Sequence, residues 1–228
     1  MSATNLSNFK LDASSDSLVL ENDEDLRYYR EISKEYSTVD FLVVLFTPKT
    51  ALFDKETIGV VRGLADQLES LDGVSSVLSY LDAPLLFSPK MSLSELADNL
   101  RTIEDEGVDL TLAKEEFKTS PLYSELLVSK DAKVTALQLN LLENNAYDQA
   151  IQKRYELRQK LMADGKENIQ VELDKVNSTI SLLNNQEAQA RDKLVKEVRL
   201  ILKNSSEYGS LYLGGTAMIA SDMMSFVK

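Results

Sequence analysis

The stretch Asp40-Phe41-Leu42-Val43-Val44-Leu45-Phe46-Thr47-Pro48 decides the fold. Phe41 to Phe46 is an unbroken apolar run, mostly β-branched or aromatic, closed by Asp40 on one side and Thr47-Pro48 on the other. It is too short for an ordinary buried helix, and Pro48 ends it, so it predicts a strand. A strand that is apolar on both faces needs cover on both, which predicts a place at the centre of a sheet.

Downstream, Asp54 predicts an N-cap, and Ile58, Val61, Leu64, Ala65 and Leu68 form one helical stripe. Asp72-Gly73 ends that helix, and Val74 to Leu81 predicts a second strand. Strand, helix, glycine and strand make a βαβ crossover, which sets the two strands parallel. Pro84 and Pro89 then break the chain, and two acidic amphipathic stretches, Leu93 to Ile103 and Leu110 to Phe117, predict a helical flap. Leu122 to Ser129 and Val134 to Leu142 flank Lys130-Asp131-Ala132-Lys133 and predict a β-hairpin. Upstream, Leu26, Tyr29, Ile32 and Tyr36 follow the acidic step Glu21 to Asp25 at helical spacing, predicting a helix over 23–36.

Residues 147–203 read as helix almost throughout, with one break at Asp164-Gly165. Leu173, Val176, Ile180, Leu183, Ala190 and Leu194 keep a 3-4 rhythm, with Glu187 polar where a seam residue is due. Such a stripe needs a facing partner, and the helix before Gly165 folds back to supply it. At about 1.5 Å per residue the hairpin can project tens of ångströms. Leu211-Tyr212-Leu213 predicts a last strand, Gly214-Gly215 a turn where backbones approach, and Met218 to Val227 an apolar amphipathic tail. The expectation is an α+β domain: a ferredoxin-like βαββαβ sheet with a helical flap and a long helical-hairpin insertion. One domain spans 1–228, with the sheet at about 38–81, 121–142 and 208–216, the flap at about 90–118 and the hairpin at about 145–204.

Composition narrows function. A net charge of -12 opposes binding to nucleic acid phosphates and to anionic lipid. The chain contains neither cysteine nor histidine, which removes disulfides, thiolate chemistry, Ser-His-Asp triads and histidine-bearing zinc sites. No apolar run approaches the roughly 20 residues of a spanning helix. Gly214-Gly215 lacks the surroundings of a phosphate loop, and the acidic clusters Asp23-Glu24-Asp25 and Glu104-Asp105-Glu106 lack the ligand spacing of a calcium loop, so they read as solvated helix ends. No catalytic, metal-binding, cofactor-binding or cargo-contacting residue stands out.

One ordered set of pieces does. The segments Leu11-Asp12-Ala13 through Leu20-Glu21-Asn22-Asp23, Asp40 to Phe46, Leu71-Asp72-Gly73-Val74 with Val77-Leu78-Ser79, Pro121-Leu122-Tyr123 with Leu127-Val128-Ser129, and the tail Val195 to Leu202 followed by Leu211 to Lys228 occur in this order. Together they resemble the first extracytoplasmic loop of RND-superfamily exporters of the MMPL-like, hydrophobe/amphiphile branch. The resemblance implies a periplasmic porter domain of a proton-driven inner-membrane exporter, which works by conformational gating and is not an enzyme. Its implied partners are hydrophobic or amphiphilic molecules such as lipids or drugs, and flanking transmembrane helices, with room for a homo-oligomer or a periplasmic partner protein. It implies no cofactor and no nucleic acid. The proton-relay carboxylates of that family have no counterpart here, and the hairpin is not part of its minimal fold. Two other readings stand beside it: an extracytoplasmic sensor or ligand-binding module, and a coiled-coil adaptor whose working part is residues 147–203.

Overall fold

Strand β1, Phe41–Pro48, lies inside a four-stranded sheet whose spatial order is β2-β3-β1-β4, with β2 at Val74–Leu78, β3 at Thr135–Leu141 and β4 at Gly209–Gly214. The structure, a computed structural model, describes residues 40–87, 100–164 and 167–227. Both neighbours of β1 are antiparallel to it: Val44 faces Leu137 on β3 and Leu213 on β4. β3 also pairs antiparallel with β2, Val77 facing Leu139. The central placement of residues 41–46 is therefore as expected. β1 and β2 do run in the same sense, but β3 lies between them.

Helix α1, Lys55–Glu69, makes the crossover from β1 to β2. Asp54 is its N-cap by position, though its side chain accepts no capping hydrogen bond. The predicted stripe Ile58, Val61, Leu64, Ala65 and Leu68 is buried against one face of the sheet. Gly73 follows at φ +98, the left-handed turn that glycine reaches without steric cost. Helix α2, Leu110–Thr119, is the second predicted flap helix, capped by Asp109, whose carboxylate accepts from the Thr111 and Leu112 amides. The first, Leu93 to Ile103, lies largely outside the described residues, as does the helix expected at 23–36. Phe53, Tyr80, Phe117 and Tyr123 form an aromatic cluster with edge-on and tilted ring contacts, and Tyr80 donates to the Leu52 carbonyl at 2.9 Å.

The expected β-hairpin at 122–142 is half wrong. Residues 135–141 form β3, but 122–129 form no strand. There the chain coils on itself: the Leu126, Leu127 and Val128 amides all donate to the Tyr123 carbonyl, and Glu125 takes φ 65. Leu122 and Leu126 point outward, so this segment lacks the alternating buried face that would hold a strand.

The long insertion is a helical hairpin: α3, Asn145–Asp164, and α4, Glu167–Asn204. Its outer part has its own apolar cluster, built from Leu157, Leu173, Val176 and Ile180 with Tyr147, Ile151, Leu161 and Ile169 against it. Beyond Glu187 the stripe changes partner. Leu194, Val195, Val198 and Leu202 belong to the sheet's core, not to the hairpin's. Ala190, expected in the seam, is exposed. Glu187 instead accepts from Asn144, just ahead of α3, and pairs with Arg191, whose guanidinium reaches Asp40 at 2.6 Å. The polar seam position marks where α3 begins and α4 passes from helix to sheet.

Because the two clusters share no residue, the tip is expected to be dispensable. Lys153 and Glu172 face each other across the hairpin at 2.9 Å, so a short Gly-Ser linker can replace residues 154–171. The shortened chain should unfold in urea with stability within about 1 kcal/mol of the parent, as distant units contribute independently. A chain that no longer folds would make the hairpin part of the core.

Candidate functional site

Along β1 burial alternates: Leu42, Val44 and Phe46 are buried, while Phe41 and Leu45 each remain 44% exposed. β3 follows suit, with Thr135, Leu137, Leu139 and Leu141 buried and Ala136, Gln138 and Asn140 half-buried. Among the described residues the sheet is thus covered on one face only. Cover on both faces was expected; α1 and the base of α4 serve the first face, and among the described residues nothing covers the second.

The open face is unusual in what it carries. Register places Leu78, Gln138, Val43 and Gly214 in one row across the four strands, Ala136, Leu45 and Tyr212 in the next, and Ser76, Asn140 and Phe41 in a third. None of the four strands contains Asp, Glu, Lys or Arg, in a chain of which 27% is charged. A sheet face left to water is ordinarily polar, and edge strands such as β2 and β4 ordinarily carry charge to discourage pairing. Here Tyr212 on β4 is 65% exposed and Leu78 on β2 is 46% exposed.

The polar groups of this face satisfy one another. Gln138 donates through Nε2 to Asn140 Oδ1 at 2.8 Å, and Asn140 donates through Nδ2 to Ser76 Oγ at 2.9 Å. A row bonded within itself asks fewer hydrogen bonds of whatever covers it, which lowers the desolvation cost of covering. The surface suits apolar, uncharged contact; nothing in it suits covalent chemistry.

The ionic groups lie elsewhere and hold elements together. Arg62 on α1 bonds Glu104 and, at 3.1 Å, Asp82; the hydrogen bond to Glu104 is the first reason its pKa sits above the ordinary arginine value. Glu104 is thus an ion-pair partner and Asp105 accepts from the Thr102 amide, so these members of the predicted acidic cluster are structural. Among the described residues no acidic group is arranged to hold a metal ion. Asp23-Glu24-Asp25 lies outside them. Glu116, buried, accepts from the Leu86 and Phe87 amides at 2.6 and 3.1 Å and fixes the chain leaving β2.

Gly214-Gly215 is the turn that was expected. Gly215 takes φ +123, and a Cβ there would meet the Phe41 carbonyl at 2.9 Å. It releases the chain into α5, Thr216–Val227, which folds back on α4. Arg199 grips Asp222 through two hydrogen bonds of 2.9 Å, which pull the Asp222 pKa below the ordinary carboxylate range. Buried Ser221 donates to Asp192 at 3.0 Å. Ile219 and Met223, one turn apart, face outward. Among the described residues no helix is long and apolar enough to cross a membrane.

Comparison with known proteins gives no match, either to a family model or to a curated relative. The open face was legible only in part. Its apolar residues stood in the quoted run, but alternation that would have separated covered from open was hidden because both sets are apolar.

Proposed function

We propose that this chain is the periplasmic porter-type domain of a proton-driven RND-type exporter, passing hydrophobic or amphiphilic molecules by conformational gating and not by covalent chemistry. One observation carries the reading. The chain order β1-α1-β2, β3, helices, β4 with spatial order β2-β3-β1-β4 supports reading the sheet as a ferredoxin-like split sheet once the flap and hairpin are set aside. The charge-free open face adds support, since a domain that moves against neighbours needs a surface that parts from them without breaking ion pairs. On this reading α5 leads toward a membrane helix, and the Arg199–Asp222 grip hands that helix's movement to α4.

Reconstituted into proteoliposomes, the full-length protein is expected to move a hydrophobic or amphiphilic substrate only when a proton gradient is imposed. Replacing residues 215–221 by a flexible linker should abolish that movement while the circular dichroism of the domain stays unchanged. Transport that survives the replacement removes the coupling role of α5; no gradient-dependent transport of any lipid or amphiphile in a broad panel favours the sensor reading. The adaptor reading draws on the hairpin's separate apolar cluster, and predicts that loss of residues 154–171 ends partner capture.

A further inference from the structure

We propose that α4 carries a hinge at Asn184 to Arg191, on which the helical hairpin swings relative to the sheet, and that Arg191 is the latch that sets its angle. The inference concerns this chain alone and does not depend on the exporter reading.

Burial along α4 locates the hinge. Toward the tip, Leu173, Val176 and Ile180 are buried in the hairpin's own cluster. Toward the sheet, Leu194, Val195, Val198 and Leu202 are buried in the main core, and Asp192 accepts from buried Ser221 on α5. Between these anchors none of the eight residues from Asn184 to Arg191 is buried. Eight residues make about 12 Å of helix. A helix in a protein owes most of its stability to the apolar face it buries, and this stretch has none to bury. It reads Asn184-Asn185-Gln186-Glu187-Ala188-Gln189-Ala190-Arg191, polar apart from two alanines.

Local bonding favours a bend at the same place. The Asn185 amide turns back to donate to the Ser181 carbonyl at 2.7 Å. Further toward the tip, Thr179 and Ser178 donate likewise to the Lys175 and Asp174 carbonyls at 3.0 and 2.9 Å. Such side-chain bonds compete for carbonyls of the helical ladder and bend helices. The hairpin's other connection leaves slack, since β3 reaches α3 through Leu142-Glu143-Asn144, which lie in no helix or strand.

Polar contacts hold this uncovered stretch. Glu187 accepts from Asn144 at 3.1 Å, which keeps α4 beside the start of α3. Arg191, one turn on, pairs with Glu187 and reaches Asp40, at the head of β1, at 2.6 Å. One guanidinium thus joins the hairpin's side of the hinge to the sheet's side, and its planar fork gives that join a direction. The three side chains are between 23 and 50% exposed, so salt reaches them. Ion pairs of this kind add little to stability, so the latch sets an angle without holding the fold together. The lever is long. Val171 lies roughly 25 Å beyond the middle of the hinge, so a bend of about 20° carries it about 9 Å.

Distances between paired spin labels test this, and a chain without cysteine takes such labels cleanly. One pair crosses the hinge: Glu69→Cys on α1 with Val171→Cys on α4. Two pairs do not: Gln149→Cys with Val171→Cys inside the hairpin, and Glu69→Cys with Tyr212→Cys inside the sheet unit. All four positions are exposed. At about 0.05 M salt the crossing pair should give a narrow distance distribution in the parent. Arg191→Met, which keeps the apolar stem and removes the charge, should at least double its width, and Asp40→Asn should do likewise. So should about 1 M salt in the parent, where the Debye length falls to roughly 3 Å. The other two pairs should keep their widths throughout. A crossing pair as narrow in both variants as in the parent overturns the proposal, whatever salt does. So does a crossing pair already broad in the parent, which leaves the latch nothing to hold, or widening of all three pairs together, which means that the whole fold loosens. If neither variant folds, the salt arm decides alone, and an unchanged width at about 1 M overturns the proposal.

Discussion

Phe46→Ala is expected to lower the free energy of unfolding by about 3–5 kcal/mol, and Leu45→Ala, one residue away, by less than about 1 kcal/mol. Both side chains are large and apolar and lie on the same central strand; Phe46 loses more atoms than Leu45, but most of the difference comes from the face. Phe46 is 1% exposed, packed in the core that α1 and the base of α4 complete. Its loss removes the transfer free energy of the ring and leaves a cavity that two packed layers cannot close. Leu45 points to the open face, where truncation leaves no cavity and water already touches the side chain. Urea unfolding at low protein concentration, with the slope checked for constancy, measures both. Equal costs at the two positions would show that the second face is covered within a single chain.

That contrast is also where reading the sequence reached its limit. The run Phe41 to Phe46 identified a central strand because no solvated strand end is so apolar, and Pro48 fixed where it stops. The hairpin was legible for a similar reason: a 3-4 rhythm over many turns has few other uses, and Asp164-Gly165 interrupts it once. What the run could not tell was whether its second face was covered by this chain. Phe41, Val43 and Leu45 are as apolar as their buried neighbours, so the run does not separate the two faces. The strand order was hidden too. A crossover sets β1 and β2 in the same sense, but it does not say whether they touch, and the later β3 inserts between them. At 122–129 the leucines suggest a strand by composition, but Leu122 and Leu126 both point outward and leave no alternating buried face. Glu187 looked like a flaw in a seam, and is the junction at which Arg191 ties α4 to Asp40 and the approach to α3 is held. Long-range ion pairs of that kind have no local signal.

Glycine substitutions separate positions that the sequence alone treats alike. Gly209→Ala is expected to cost more than about 3 kcal/mol, at the upper end of what overpacking does. A Cβ at Gly209 would lie 2.2 Å from the Thr47 carbonyl oxygen and 2.8 Å from the Pro48 Cα, both backbone atoms of β1 that no rotamer change can move. The strands must separate at Pro48↔Gly209, where the Lys49 amide donates to Tyr208 at the end of the ladder. Gly214→Ala, in the same strand, meets only the Val43 carbonyl at 3.9 Å and should be nearly neutral. Gly63→Ala has the opposite sign. Nothing lies within 4 Å of its added methyl, and alanine in mid-helix loses less backbone entropy on folding, so α1 should gain about 0.5–1 kcal/mol. Thermal and urea unfolding of the three variants tests the set. A mild effect at Gly209 would mean that β4 can slide along β1, and the consequence would reach beyond stability. Such a slide would carry Gly215 out of the left-handed turn beside the Phe41 carbonyl and pull Asp222 away from Arg199. The close approach at Gly209 therefore fixes where α5 sits, and with it the direction in which any movement of α5 is delivered to the sheet.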